Sequence, residues 1–112
     1  MCRSILVPLD GSAFSEHALP LALALVRRSG AQLHLAHVLQ PRGGKADAVG
    51  QATALSRATY LERVAQQLAR VAKRAPLTSV LNGPVAETLL EHARSVRCDL
   101  LVLTTHGRGA LS

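Results

Sequence analysis

The stretch Ser4-Ile5-Leu6-Val7-Pro8-Leu9-Asp10-Gly11-Ser12 is a short apolar run that stops at three turn-forming residues. It reads as a buried strand followed by a tight turn. Beyond the turn the apolar positions change period: Phe14, Ala18, Leu21, Ala22, Leu25 and Val26 form a helical stripe. Ser12 or Ser15 can cap that helix. Pro20 costs a backbone hydrogen bond if the helix begins at Ser12, so either a kink or a late start near Ser15 is expected. Arg27 and Arg28 suit the helix C-terminus, and Gly30 ends it.

The same alternation continues to the last residue. Gln32–Leu39 is a second strand, with Leu33, Leu35, His37 and Leu39 on one face and His34, Ala36 and Val38 on the other. Pro41-Arg42-Gly43-Gly44-Lys45 is a loop extending to about Gly50. A long helix is expected from about Ala52 to Arg74. Its apolar stripe is Leu61, Val64, Ala65, Leu68, Val71 and Ala72, with Arg63, Arg70 and Arg74 on a solvated stripe beside it. Leu77–Leu81 is a third strand. Asn82-Gly83-Pro84 is a turn with Pro84 as the first helical residue, and Val85, Leu89, Ala93 and Val96 line the next helix. Leu100–Thr104 is a fourth strand, and Thr105-His106-Gly107-Arg108-Gly109 a glycine-rich loop.

Strands alternating with helices imply an α/β fold: a parallel sheet with helices on both faces. Right-handed crossovers put every strand C-terminus on one edge, so Asp10 and His106-Gly107 share it. Ligands of such sheets bind where the strand order reverses.

Composition narrows the classes. The 112 residues suit one domain (1–112), and 48% hydrophobic content excludes general disorder. No run of eighteen uncharged apolar residues exists, and no long apolar segment with a cleavage site follows Met1, so neither a membrane span nor a secretory signal is expected. Cys2 and Cys98 are too few for a disulfide framework, which favours a reducing, cytoplasmic setting. If the first and fourth strands are neighbours the two thiols share an edge, which leaves a disulfide as a minor alternative. The net charge of +6 favours anionic partners. The arginines are spread along the chain without a dense cluster and read as solvated surface. Phe14 and Tyr60 are the only aromatics, which counts against single-strand nucleic-acid binding.

The motif search excludes several chemistries. No P-loop and no Gly-x-Ser-x-Gly elbow is present. Asp10 lacks the second aspartate of an aspartyl-phosphate site. Gly107-Arg108-Gly109 only partly resembles a dinucleotide fingerprint and follows the last strand instead of the first. The loop still has physical content: its glycines let backbone N–H groups approach a phosphate, and Arg108 adds charge. A plain glycine turn is the competing reading. The Asp10 carboxylate can accept hydrogen bonds from a base or ribose, or it orders its own turn. His34 and His37 fall on opposite strand faces, so no shared metal is expected. His17 and His92 read as helix-surface residues, while His106 sits in the candidate phosphate loop.

Four segments in this order and spacing resemble the universal stress protein family: Ile5–Ser12, Leu35-Ala36-His37-Val38, Gly83-Pro84-Val85-Ala86-Glu87, and Cys98 to Arg108. The resemblance implies an adenine nucleotide alpha hydrolase-like sheet of order 3-2-1-4-5, here 3-2-1-4 with the fifth strand missing. It implies an ATP-binding stress-response sensor or regulator, with Mg or Mn only alongside the nucleotide. Asp10, Gly11, Ser12 and Val38 would hold the adenosine, and Thr104, Thr105, His106, Gly107, Arg108 and Gly109 the phosphates. No catalytic residue is expected, and at most weak ATP hydrolysis. Two departures from the family pattern stand out. Thr104 replaces the first glycine of Gly-x-x-Gly, and the chain ends five residues after Gly107, before the second Gly-Ser/Thr. A longer natural protein, homodimeric when whole, is therefore expected. The alternatives are an interaction module of the same family that binds no nucleotide and, behind it, a basic nucleic-acid binder.

Overall fold

The computed structural model describes residues 3–39 and 48–104, with side chains from residue 53 onward in the second stretch. The elements are β1 (Ser4–Pro8), α1 (Leu19–Ser29), β2 (Gln32–Leu39), α2 (Ala48–Ala69), β3 (Leu77–Asn82), α3 (Val85–Ser95) and β4 (Leu100–Leu101), with a 3-10 turn at Ser15–Ala18 ahead of α1. The four strands form one parallel sheet in the order β3-β2-β1-β4, as expected. Ile5 pairs with Leu33 on one side and with Leu100 on the other. No helix among the described residues is long and apolar enough to cross a membrane.

Pro8 can end β1 because of which way its backbone faces. Alternate residues of a parallel strand turn to opposite neighbours. The Leu6 carbonyl accepts from Val102, so Pro8, two residues on, also faces β4. Paired register with β4 ends at Leu6–Leu101, so the missing N–H of Pro8 breaks no paired position. Pro20 is accommodated by a late start: the chain turns as a 3-10 helix from Ser15, and α1 proper begins at Leu19 with Pro20 in its first turn. Gly30 closes α1 in the left-handed conformation, its N–H donating to the Val26 carbonyl at 2.7 Å.

One sheet face carries the main core. Ile5, Val7, Leu9, Leu33 and Leu35 pack with Leu19, Ala22 and Val26 of α1 and with Leu61, Val64 and Ala65 of α2. Leu6, His34 and Ala36 are buried outside that cluster, and α3 lies against β2 and β3.

Four details differ from the sequence expectation. The α2 helix spans Ala48–Ala69, four residues earlier at its start and five earlier at its end. The Val71 and Ala72 amides both donate to the Leu68 carbonyl, closing the last turn and swinging Val71 into solvent while Ala72 stays in the core. Pro76 then commits the chain to the extended β3. Pro84 caps α3 in an extended conformation instead of forming its first turn. β4 pairs over only two residues.

Candidate functional site

Strand order reverses between β1 and β4, and the C-terminal ends of β1, β2 and β4 meet at that crevice. Asp10, Gly11 and Ser12 follow β1 directly and are exposed. A closed ring of hydrogen bonds shapes them. The Ser12 amide and hydroxyl donate to Asp10 Oδ1 at 2.8 and 2.5 Å. The Ser15 amide donates to Ser12 Oγ, and the Ser15 hydroxyl donates to the Ser12 carbonyl. The Asp10 amide donates back to Ser15 Oγ. Ser12 thus ties the Asp10 turn to the start of the 3-10 helix at Ser15. Its hydroxyl is the main reason the Asp10 carboxyl sits below its ordinary value, so Asp10 is an anion at neutral pH. Both Ser12 donors use Oδ1.

Buried His37 holds the backbone just before this turn. Its Nδ1 lies 2.8 Å from the Leu9 carbonyl. A carbonyl can only accept, so Nδ1 carries the proton. Val38 is half-buried near the end of β2. The last bond from β1 to β2 runs from the Leu9 amide to the Ala36 carbonyl. By the same alternation the Val38 backbone turns toward the β1 side, past the end of that strand. The Thr104 hydroxyl donates to the Phe14 carbonyl at 3.0 Å, tying the chain after β4 to the loop after β1. The structure therefore brings Asp10, Gly11, Ser12, Val38 and Thr104 to one edge. Thr105, His106, Gly107, Arg108 and Gly109 lie outside the described residues, as does Cys2; Cys98 is a free thiol.

One residue of this edge was missed in the sequence. A Cβ built on Gly11 would lie 2.7 Å from Nη1 of Arg57, so the α2 guanidinium is packed against the Gly11 backbone. A signal was present: Arg57 precedes Leu61 by four residues and so shares the buried stripe of α2. Tyr60, on the next position of that turn, donates its hydroxyl to Glu16 at 2.6 Å. Burial, helped by the Glu16 carboxylate, pushes the Tyr60 phenol well above its ordinary value. A recess of about 440 Å³, lined by Leu55, Ser56, Thr59, Tyr60 and Arg63, holds none of the sequence-predicted site residues.

The histidines divide differently from expectation. His17 is exposed beside Phe14, as read. His92 is half-buried instead of fully exposed, with its Nε2 buried and without a hydrogen-bond partner among the described residues. It falls on the stripe of Leu89 and Val96, which turns inward. Burial, and His92 after it, hold the His34 imidazole below its ordinary value.

Comparison with known proteins agrees with this architecture. The model of the universal stress protein family matches residues 1–112. A curated Thermus aquaticus protein, "Universal stress protein in QAH/OAS sulfhydrylase 3'region", is 30% identical over 99% of this chain and 82% of its own length. A crystal structure of a universal stress protein family member from Burkholderia pseudomallei is 29% identical, with a TM-score of 0.76 over 92% of this chain and 81% of that one. A universal stress protein solved in complex with cAMP is 24% identical, with a TM-score of 0.67 over 91% of this chain and 75% of that one. The family match runs from the first residue to the last, on a sheet these structures share, and this chain belongs to the universal stress protein family.

Proposed function

We propose that this chain binds an adenine nucleotide, ATP in the first instance, and acts as a stress-response sensor or regulator. The observation that carries the reading is the ionised Asp10 carboxylate, held by Ser12 at the reversal point of the sheet. In this reading Asp10 accepts hydrogen bonds from the adenosine, with Gly11 and Ser12 lining the pocket and Val38 offering backbone groups to the base. Thr104 to Gly109 receive the phosphates, Arg108 supplying charge, and a divalent ion enters only with the nucleotide. The cAMP complex of a related protein supports an adenine nucleotide as ligand. No catalytic residue is assigned. The protein on this reading is cytoplasmic, carries one such domain, and is a homodimer.

A second reading draws on Thr104. Its hydroxyl is spent on the Phe14 carbonyl, where the family motif has glycine. A member whose phosphate loop departs in this way would work as an interaction module without nucleotide. Titration calorimetry with ATP and cAMP separates the two. The nucleotide reading expects saturable heat that Asp10→Asn weakens at least tenfold. Absence of heat at protein concentrations of about 1 mM, which bounds binding to weaker than about −4 kcal/mol, would overturn it.

A further inference from the structure

The opposite edge of the sheet carries most of the positive charge. Helices between parallel strands run back toward the strand N-termini, so every helix ends there. Arg27 and Arg28 close α1, Arg70, Lys73 and Arg74 lie in the turn after α2, and Arg94 is in the last turn of α3. Arg97 precedes β4 and Arg3 precedes β1. Hydrogen bonds join these four segments into one surface. The Gln32 amide donates to the Arg3 carbonyl. The Gln32 side chain donates to the Ala75 carbonyl, and the Arg3 and Ser4 amides donate to the Asp99 carboxylate. All eight basic side chains are exposed. Asp99 lies on this edge and is already engaged by two amides, while Glu62, bonded to Thr78 near the start of β3, and Glu91, one turn before Arg94, lie further in. Capping of helix dipoles accounts for a cation or two at each helix end; it does not account for Arg97 and Arg3, which precede strands on the same edge.

We propose that this edge is a docking surface for the phosphate backbone of duplex nucleic acid, bound without base reading. Seven of the eight cations are arginines, whose planar forks match phosphate oxygens. The three layers of helix, sheet and helix span roughly 30 Å, and duplex DNA presents about one charge per 1.7 Å of axis, ample to face eight cations. The helices meet this edge end-on, so none lies flat in a lipid interface, and none is presented lengthwise to a groove. Phe14 and Tyr60 lie on other parts of the molecule, so no aromatic platform is available to stack single-stranded bases. Asp10 and Val38 stand at the far ends of the strands, roughly 17–26 Å away, so the surface is separate from the candidate nucleotide site.

Fluorescence anisotropy of the full chain with a labelled random-sequence DNA duplex of about 20 base pairs tests this across about 50–200 mM salt. Binding is expected to weaken steeply, with a log–log slope of about −4 or steeper. The variant Arg27→Ser/Arg28→Ser/Arg74→Ser is expected to weaken binding at least tenfold and to flatten the slope by about 2 to 3. Lys73→Ser/Arg94→Ser serves as an independent second variant, with circular dichroism confirming that each is folded. Arg63→Ser, higher on α2, is expected to change affinity less than twofold, whereas Arg74→Ser alone costs at least threefold. No binding at about 50 mM salt, an equal loss from Arg63→Ser and Arg74→Ser, or tighter binding to phosphatidylserine vesicles than to the duplex would each overturn the proposal.

Discussion

Gly11 combines two demands at one position. Its φ is +91°, and a Cβ there would meet the Arg57 guanidinium at 2.7 Å. The second demand is mild, because the end of a long side chain can move aside. The first is not, because an L-residue at positive φ carries its own cost. Gly11→Ala is therefore expected to lower stability by about 1–2 kcal/mol. Removing the clash with Arg57→Ala should restore little of it, and urea denaturation of the two single variants and the double variant checks this. Full rescue by Arg57→Ala would show that the guanidinium, not the backbone, sets the requirement. The neighbouring Asp10 turn was legible in the sequence because Asp-x-Ser spacing is a local hydrogen-bond signal. The Arg57 approach was harder to read, because its partner lies 46 residues earlier in the chain and only packing brings them together.

Among the helices, α3 is the least anchored: no residue of it is fully buried, and Leu90 is 53% exposed. Its underside holds a polar liability in the His92 Nε2, which has no partner among the described residues. Replacing such a group by an apolar one of similar size removes an unsatisfied polar atom, so His92→Leu is expected to be neutral or more stable by up to about 1 kcal/mol. The acid behaviour should change as well. Folded His34 lies below its ordinary 6.5, so the unfolded chain takes up the proton first. Stability is then lost as pH falls from about 6.5 toward the folded value. His92 is the second cause of that depression, so chemical denaturation of His92→Leu from about pH 7 to 5 should show a shallower loss than wild type. A steeper loss would contradict the inward placement. Sequence periodicity placed Leu89, Ala93 and Val96 on the half-buried stripe of this helix, but it also put Val85 there, which is exposed, and His92 on the surface, because a stripe does not report how wide the covered face is.

On the scale of the molecule, the core is one-sided. Leu61 is fully buried in the main cluster, on the helix that packs over β2 and β3. Leu61→Ala leaves a cavity that the sheet cannot close, and a loss of about 2–5 kcal/mol is expected in thermal or urea unfolding. A loss near zero would place the weight of the fold elsewhere. The alternation of strands and helices, the 3-2-1-4 order reached through the family resemblance, and the placing of Asp10 at the reversal edge were all determined by sequence. Apolar period, turn residues and chain direction are properties of neighbouring residues, and right-handed crossovers leave few ways to join them. Tertiary structure alone decided three other things. It packed Arg57 against Gly11, and it bonded the Thr104 hydroxyl to Phe14. It also gathered arginines that look scattered along the chain onto the edge where every helix ends. Each depends on residues far apart in sequence, whose meeting is set by the packing of whole elements and not by local pattern.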